Sequence, residues 1–300
     1  MRIAIVIPCF NEAVAIKQVI TGFREVLPEA EIYVYDNNST DETVAIAAKE
    51  GAVVRHETRQ GKGHVVRRML SEVDADYLIM VDGDATYDPA AALDALKLAK
   101  EQRLDFVNIR RVDNQTEAYR PSHRMGNWAI TEIVSRVFGR TFTDILSGYK
   151  VISRRFAKSF PSESNEFEIE TELAIHCLEL NLPAAEVVGF YRARPEGSHS
   201  KLHTFRDGTK ILMLIGRLVK DERPFAFFGT ASLVLAIISA ALGISVAIEF
   251  LATGLVPRLP TAVLSAAIGI IAVGSFAVGL VLDQVARSRR EMKRLFYLNA

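Results

Sequence analysis

Three hundred residues suffice for one large domain or two smaller ones, and a hydrophobic share of 49% with a mean hydropathy of +0.15 exceeds what a soluble enzyme of this size usually needs. Part of the chain is therefore expected to meet lipid. The 36 basic residues balance the 36 acidic ones, which removes the electrostatic case for nucleic acid as a partner.

In chain order, the opening apolar run breaks at Pro8 and passes directly into Asn11 and Glu12, too short for a signal peptide. Up to residue 110 short apolar strands alternate with helices, the signature of a parallel sheet covered by helices. The strands are expected at 3–7, 32–35, 53–55, 77–81 and 106–109, and the helices at 13–26, 41–50, 63–71 and 90–102. Ser39, Thr40, Asp41 and Glu42 offer capping hydroxyls and early acidic charge for the second helix. The pattern then loosens into a polar stretch, a helix at 124–138, a strand at 148–152, a helix at 168–180 and a strand at 186–191. Glu168, Glu170 and Glu172 at the start of that last helix are read as complementing its dipole.

Residues 204–223 mix Phe205, Ile211, Leu212, Leu214, Ile215, Leu218 and Val219 with Arg206, Lys210, Arg217 and Lys220, as in an amphipathic helix lying in a membrane interface. Two charge-free stretches follow, 224–248 and 259–282, each longer than the roughly 20 residues that cross a bilayer core. They are read as two transmembrane helices, at about 225–249 and 259–282 within 224–284. Gly243, Gly269, Gly274 and Gly279 are suited to close packing between them. Arg217, Lys220 and Arg223 precede the pair, and a basic tail, 285–300, with Arg287, Arg289, Arg290, Lys293 and Arg294 follows it. The positive-inside bias then puts both chain ends in the cytoplasm. Cys9 and Cys177 lack any C-x-x-C or Cys/His cluster and are read as buried free thiols, not as a disulfide or zinc site.

The sharpest chemical feature is Asp82-Gly83-Asp84 directly after the fourth strand. Two carboxylates at i and i+2 on a buried strand end can share one hard divalent cation, Mg²⁺ or Mn²⁺, whose shell diphosphate oxygens would complete. In open α/β sheets ligands lie at the carboxyl ends of the strands, where Pro8-Cys-Phe-Asn-Glu12, Asp36-Asn-Asn-Ser-Thr-Asp41 and Arg59-Gln-Gly-Lys-Gly63 also fall. Gly61 and Gly63 would let backbone approach a ligand, and Lys62 would supply positive charge. No G-x-G-x-x-G follows the first strand and no P-loop is present, so dehydrogenase and NTPase readings fail.

These four motifs, in this order, resemble the family-2 glycosyltransferases of the GT-A fold, and the resemblance covers the catalytic region, 1–203. It implies a Rossmann-like, mostly parallel sheet in which Pro8, Asn11 and Glu12 line the nucleotide pocket and Asp36 accepts a hydrogen bond from the base. It also places Lys62 near the donor and Asp82 and Asp84 on the metal. Asp144-Ile-Leu-Ser-Gly-Tyr-Lys150, Arg192-Ala-Arg194 and Gly197-Ser-His-Ser-Lys-Leu202 are similar to the polyprenyl-phosphate branch, which includes dolichyl-phosphate mannose synthase. That similarity implies an acceptor-phosphate site drawn from Arg110, Arg111, Arg124, Arg192, Arg194, Ser198 and Lys201. Guanidinium forks suit a phosphate monoester. Asp144 is a candidate base or acceptor-orienting group.

The resemblance thus implies an inverting transfer of a hexose-type sugar from a nucleotide-sugar to polyprenyl phosphate on the cytoplasmic membrane face, with Asp84, Asp144 and Lys62 as the catalytic set. Two departures stand out: Thr86 occupies the place where mannose synthases of the branch carry a glutamine near the metal, and Asp36-Asn37-Asn38 replaces the commoner double aspartate. The second departure leaves the base open between uridine and guanosine, with a UDP-sugar as the expected donor. Rival readings are a family-2 enzyme acting on a glycan or glycolipid hydroxyl, which needs a real general base, and a catalytically silent sugar-nucleotide-binding adaptor, which needs no metal site. The sequence is compatible with a homo-oligomer. Its one tryptophan, Trp128, lies outside any Q-x-x-R-W motif of processive synthases.

Overall fold

The computed structural model describes residues 1–113, 121–139, 141–162, 164–166, 168–197 and 204–299; the side chains of 113, 121–125 and 204–207 are not among the described features. Ser198 and Lys201 lie outside the described residues, as does the side chain of Arg124. The chain divides into two compact units, 1–212 with 293–300, and 213–292.

In the first unit the apolar runs form strands β1 (Ile3–Cys9), β2 (Glu31–Asp36), β3 (Val53–His56) and β4 (Tyr77–Met80), separated by helices α1 (Ile16–Val26), α2 (Thr43–Lys49) and α3 (Lys62–Glu72). Helix α4 (Ala91–Gln102) leads to β5 (Phe106–Asp113). Then come α5 (Pro121–Phe138), β6 (Lys150–Ser153), α6 (Arg154–Ser159), α7 (Ile169–Glu179) and β7 (Ala184–Tyr191). The seven strands order as β3-β2-β1-β4-β6-β5-β7. β1 to β4 run parallel, as β-α-β connections require. β6 inserts antiparallel between β4 and β5, and β7 runs parallel to β5 at the edge. The central strands are buried on both faces, and α1 lays Ile16, Val19, Ile20 and Phe23 on the core.

From β1 to β7, strand and helix positions agree with the sequence expectation to within a few residues at each end, apart from the short helix α6, which sequence periodicity did not signal. The start of α2 differs in its chemistry. No side chain caps at its first boundary residue, Glu42; instead Asp41 accepts hydrogen bonds from the Thr43 backbone N–H (3.0 Å) and hydroxyl (2.5 Å).

Helix α8 (Thr204–Glu222) follows. Then come α9 (Pro224–Thr253) and α10 (Leu259–Asn299), each long and apolar enough to cross a membrane. Within the second unit α9 and α10 meet along a seam of small residues. Ser239 and Ser265 each donate to the other's carbonyl (2.8 and 2.9 Å), and Ser232 donates to the Ala272 carbonyl (2.8 Å). A Cβ on Gly243 or Gly279 would lie 2.7 Å from Ser265 Oγ or 3.0 Å from Phe228 Cβ, so these glycines set the approach distance, whereas Gly274 faces open space. The residues read as a basic tail are not a separate tail: 285–299 continue α10. Its last turns belong to the first unit, where Tyr297 donates to Asp105 (2.6 Å) and Lys293 pairs with Glu179 (2.9 Å).

Candidate active site

Strand β4 leads into the DGD turn, directly after which Ala85 takes a left-handed conformation (φ 58°), unusual for a residue with a Cβ. Asp84 is turned inward and is 3% exposed. The Thr86 hydroxyl donates to Asp84 Oδ1 (2.6 Å), as does the Thr86 backbone N–H (3.2 Å). Thr86 therefore holds the second aspartate in place, a role its position in the sequence did not announce. Gly83 is needed beneath the turn, since a Cβ there would sit 2.6 Å from Cys9 Sγ.

Two cations reach these carboxylates. Lys62, at the start of α3, donates to Asp82 Oδ1 (2.5 Å) and also pairs with Glu170 of α7. Arg194, just beyond β7, pairs with Asp84 Oδ2 (2.5 Å) and lies 3.8 Å from Glu12. Burial works to raise the Asp82 carboxyl, but the Lys62 charge beside it brings it below the usual range. Burial and the neighbouring Asp82 charge push Asp84 above it. For Lys62, burial opposes the charged form, and Asp82 with Glu170 more than offset this.

Glu170 is thus a buried partner of Lys62 and not a dipole-complementing surface acid, and Glu172 likewise turns inward to accept from the Ser164 N–H (2.9 Å). Gly61 and Gly63 also differ from expectation. Cβ atoms on them would lie 2.2 Å from the carbonyls of Asn165 and Ser164, so both glycines let the loop close on neighbouring backbone, which fixes where Lys62 points.

The residues expected around the nucleotide form a second cluster. Asp36, 3% exposed, accepts from the Ser39 N–H (3.2 Å) and lies 3.3 Å from His56 Nδ1. Asn11 adopts φ 53° and its side chain accepts from the Thr40 N–H (2.8 Å), and the Glu12 N–H donates to Thr43 Oγ1 (2.8 Å). Pro8 lies opposite Tyr35 on the β1–β2 ladder. Asn37, given no role of its own by the sequence motif, ties the loop after β2 to the loop after β3. Its amide donates to the carbonyls of Glu57 (2.9 Å) and Arg59 (2.7 Å) and accepts from the Gly61 N–H (2.7 Å).

On the other side of β4, Asp144 is 4% exposed and receives Arg111 through Nε (2.8 Å), Nη2 (2.7 Å) and the backbone N–H (3.0 Å), together with Asn127 Nδ2 (2.8 Å). Four donors fill the roughly four lone-pair sites of a carboxylate. Burial tends to raise the Asp144 carboxyl, yet Arg111 holds it below the usual range. An ionised carboxylate so engaged orients its arginine and is a poor proton acceptor. Gly148 brings this loop against the metal-type pair, since a Cβ there would lie 2.2 Å from Asp82 Oδ2.

Not all the expected arginines converge. Successive side chains on a strand point to opposite faces, which separates Arg110 from Arg111. Arg192 is 60% exposed and approaches Asp88 (3.6 Å).

The donor set fits a divalent cation. The carboxylates of Asp82, Asp84, Glu12 and Glu170 gather around Lys62 and Arg194 in a mostly shielded cluster, an oxygen-rich lining of the kind hard divalent cations take. No three His, Cys, Asp or Glu side chains converge as ligands among these residues, so Asp82 and Asp84 would hold the ion with ligand oxygens filling the remaining positions.

Residues 4–160 match the profile of glycosyl transferase family 2. The Haloferax volcanii glycosyltransferase AglJ is 31% identical over 295 residues, covering 98% of this chain and 97% of its own. The dolichyl-phosphate hexose transferase of the same organism is 27% identical over 221 residues, covering 74% of this chain and 95% of its own. Among solved structures, Mycobacterium tuberculosis glucosyl-3-phosphoglycerate synthase in complex with Mn²⁺, uridine diphosphate and glucosyl-3-phosphoglycerate superposes with a TM-score of 0.59 at 20% identity. That match covers 73% of this chain and 79% of the synthase and is a likeness of fold.

Proposed function

The chain belongs to glycosyl transferase family 2, and from that premise we propose that it transfers a hexose-type sugar from a UDP-sugar to polyprenyl phosphate at the cytoplasmic face of a membrane, with inversion and with Mg²⁺ or Mn²⁺ at Asp82 and Asp84. The observation that carries this reading is the Asp82–Asp84 pair at the end of β4, with Asp84 buried and the two gripped by Lys62 and Arg194 beside the Arg111–Asp144 unit. Similarity to a dolichyl-phosphate hexose transferase over most of its length, together with two apolar helices, supports a lipid phosphate as acceptor. The uridine diphosphate and Mn²⁺ in the mycobacterial synthase support the donor and the metal.

On this reading the residues have the following roles. A divalent cation bound at the aspartates would neutralise charge on the departing diphosphate. Asp36, Asn11, Glu12 and Pro8 line the donor side, and Lys62, itself held by Glu170, fixes Asp82. Arg111, locked by Asp144, would present its guanidinium to the acceptor phosphate, and Arg194, seated on Asp84, would add positive charge beside the departing diphosphate. A phosphate monoester has its second pKa near ~6 and is largely ionised at neutral pH, so its oxygen attacks the anomeric carbon without a base. One carbon–oxygen bond forms as the bond to the diphosphate breaks. This suits a site in which Asp144, the aspartate beside Arg111, is already saturated with donors. It also disfavours the hydroxyl-acceptor rival, which would need a free base.

The test is a product assay on the full chain in detergent with Mn²⁺ or Mg²⁺, short-chain polyprenyl phosphate and a panel of UDP- and GDP-sugars, read by mass spectrometry. A sugar-phosphate-lipid formed by the wild type and lost in Asp84→Asn supports the reading. Metal-dependent nucleotide binding without any lipid product overturns the acceptor assignment.

A further inference from the structure

The segment from Asp144 to Lys150 ends on a lysine that the reaction outlined above does not use. Lys150 is fully buried on β6. In the sheet register it lies opposite Asn108 of β5, which in turn lies opposite Glu186 of β7. Directly paired residues share a face, so the three form one polar row across adjacent strands. Lys150 Nζ donates to Asn108 Oδ1 (2.7 Å), and Asn108 Nδ2 donates to Glu186 Oε1 (2.8 Å).

Every member of the row also grips the main chain of the turn that carries Asp144. Lys150 reaches the Ile145 carbonyl (3.5 Å), and Asn108 Nδ2 donates to the Asp144 carbonyl (2.9 Å). Glu186 accepts from the backbone N–H groups of Thr143 (3.0 Å) and Asp144 (3.3 Å) and from the Thr143 hydroxyl. Among the described residues no carboxylate hydrogen-bonds Lys150, whose compensating charges, Glu170 and Asp144, act without direct contact, and its ammonium lies 5.3 Å from the centre of the Phe106 ring. A buried cation so placed costs stability relative to an apolar side chain of similar size. Its presence calls for a role other than holding the core together.

We infer that Lys150, Asn108 and Glu186 are positioning residues that fix the Asp144 turn, and through Asp144 the Arg111 guanidinium, at the acceptor side of the site. The acceptor part rests on the function proposed above, whereas the placement of the turn does not. The same row explains why a tight Ser-Gly-Tyr-Lys segment follows Asp144. Gly148 must pass against Asp82, and Lys150 then anchors the turn from within the sheet.

The experiment uses the full chain in detergent with Lys150→Met, which keeps length and removes charge. Glu186→Gln serves as a second variant that keeps one acceptor oxygen and loses the other. Backbone hydrogen exchange is followed by mass spectrometry, and the Kd of Mn²⁺-UDP and the KM for short-chain polyprenyl phosphate are measured. Loss of a charged hydrogen bond predicts exchange in 141–148 faster by about tenfold in Lys150→Met, acceptor KM higher by a similar factor, and Mn²⁺-UDP Kd within about twofold of wild type. In an Asp144→Asn background Lys150→Met should add less than about twofold, because its path runs through Asp144. Unchanged exchange in 141–148 in both variants overturns the inference, as does an undiminished Lys150→Met effect on Asp144→Asn. If exchange accelerates as expected but no lipid product forms even with wild type, the positioning role stands and the proposed acceptor falls.

Discussion

Replacing Lys62 by Met tests the ion network beneath the DGD turn most directly. Lys62 is 11% exposed and serves two carboxylates, Asp82 and Glu170, both with side chains mostly shielded from water. Removing one partner of a buried ion pair costs about 3–5 kcal/mol because the remaining charge is left without compensation. Two carboxylates are orphaned here, which puts the expected cost in the upper part of that range, about 4–5 kcal/mol. For a unit of this size each kcal/mol lowers the thermal midpoint by about 2–4 °C. Lys62→Met should therefore lower it by roughly 8–20 °C, read by circular dichroism on the purified chain in detergent. The double variant Lys62→Met/Glu170→Met removes one orphaned carboxylate and should recover about half of the loss. A midpoint within about 2 °C of wild type for the single variant, or a double variant no better than the single, would refute the reasoning.

Gly148→Ala would place a Cβ 2.2 Å from Asp82 Oδ2, so the carboxylate must leave Lys62 or the backbone must shift. The expected result is a loss of about 1–3 kcal/mol of stability with Mn²⁺ affinity, followed by electron paramagnetic resonance, weakened beyond wild type. Tyr297→Phe removes one donor from the buried Asp105 carboxylate, which also receives Arg155 and Ser153, and should cost about 1.5–3 kcal/mol in thermal unfolding. Burial pushes Lys150 down to about 8, opposed by the charges of Glu170 and Asp144 and aided by Arg111 and Lys62. Between that value and the ordinary lysine value of ~10.4 the unfolded chain keeps a proton that the folded chain has released, so stability attributable to Lys150 rises with pH across this window by about 3 kcal/mol. The difference in stability between wild type and Lys150→Met should move in favour of wild type from pH 8 to 10, and a flat difference would count against a buried, depressed lysine.

The features read correctly from sequence are those with local causes. Alternating apolar strands and amphipathic helices force the parallel β1 to β4 arrangement, and the strand-end motifs then gather because strand ends lie side by side. What local pattern could not give is the order of the remaining strands. β6 runs antiparallel into the sheet between β4 and β5, and β7 joins β5 at the edge. That arrangement brings Arg194 to Asp84 and Asp144 to Arg111. Arg194 was legible as a basic residue in an acceptor-type motif, but its seat on the second aspartate depends on a strand paired with β5.

The three acids at the start of α7 show where residue type stops being informative. Glu168, Glu170 and Glu172 stand two apart at one helix start, and dipole complementarity accounts for all three equally well from sequence. In the fold they part company: Glu168 is the boundary residue with no capping bond, Glu172 accepts the Ser164 N–H, and Glu170 meets Lys62. Buried acids this close together require partners of different kinds, since charges of one sign cannot be desolvated side by side without compensation. The partners are a backbone amide from 164 and an ammonium from 62, and both are placed by the close approach of Gly61 and Gly63 to the 164–165 backbone. Two glycines far away in the chain thus decide which glutamate belongs to the site, and a helix-local reading has no access to that contact.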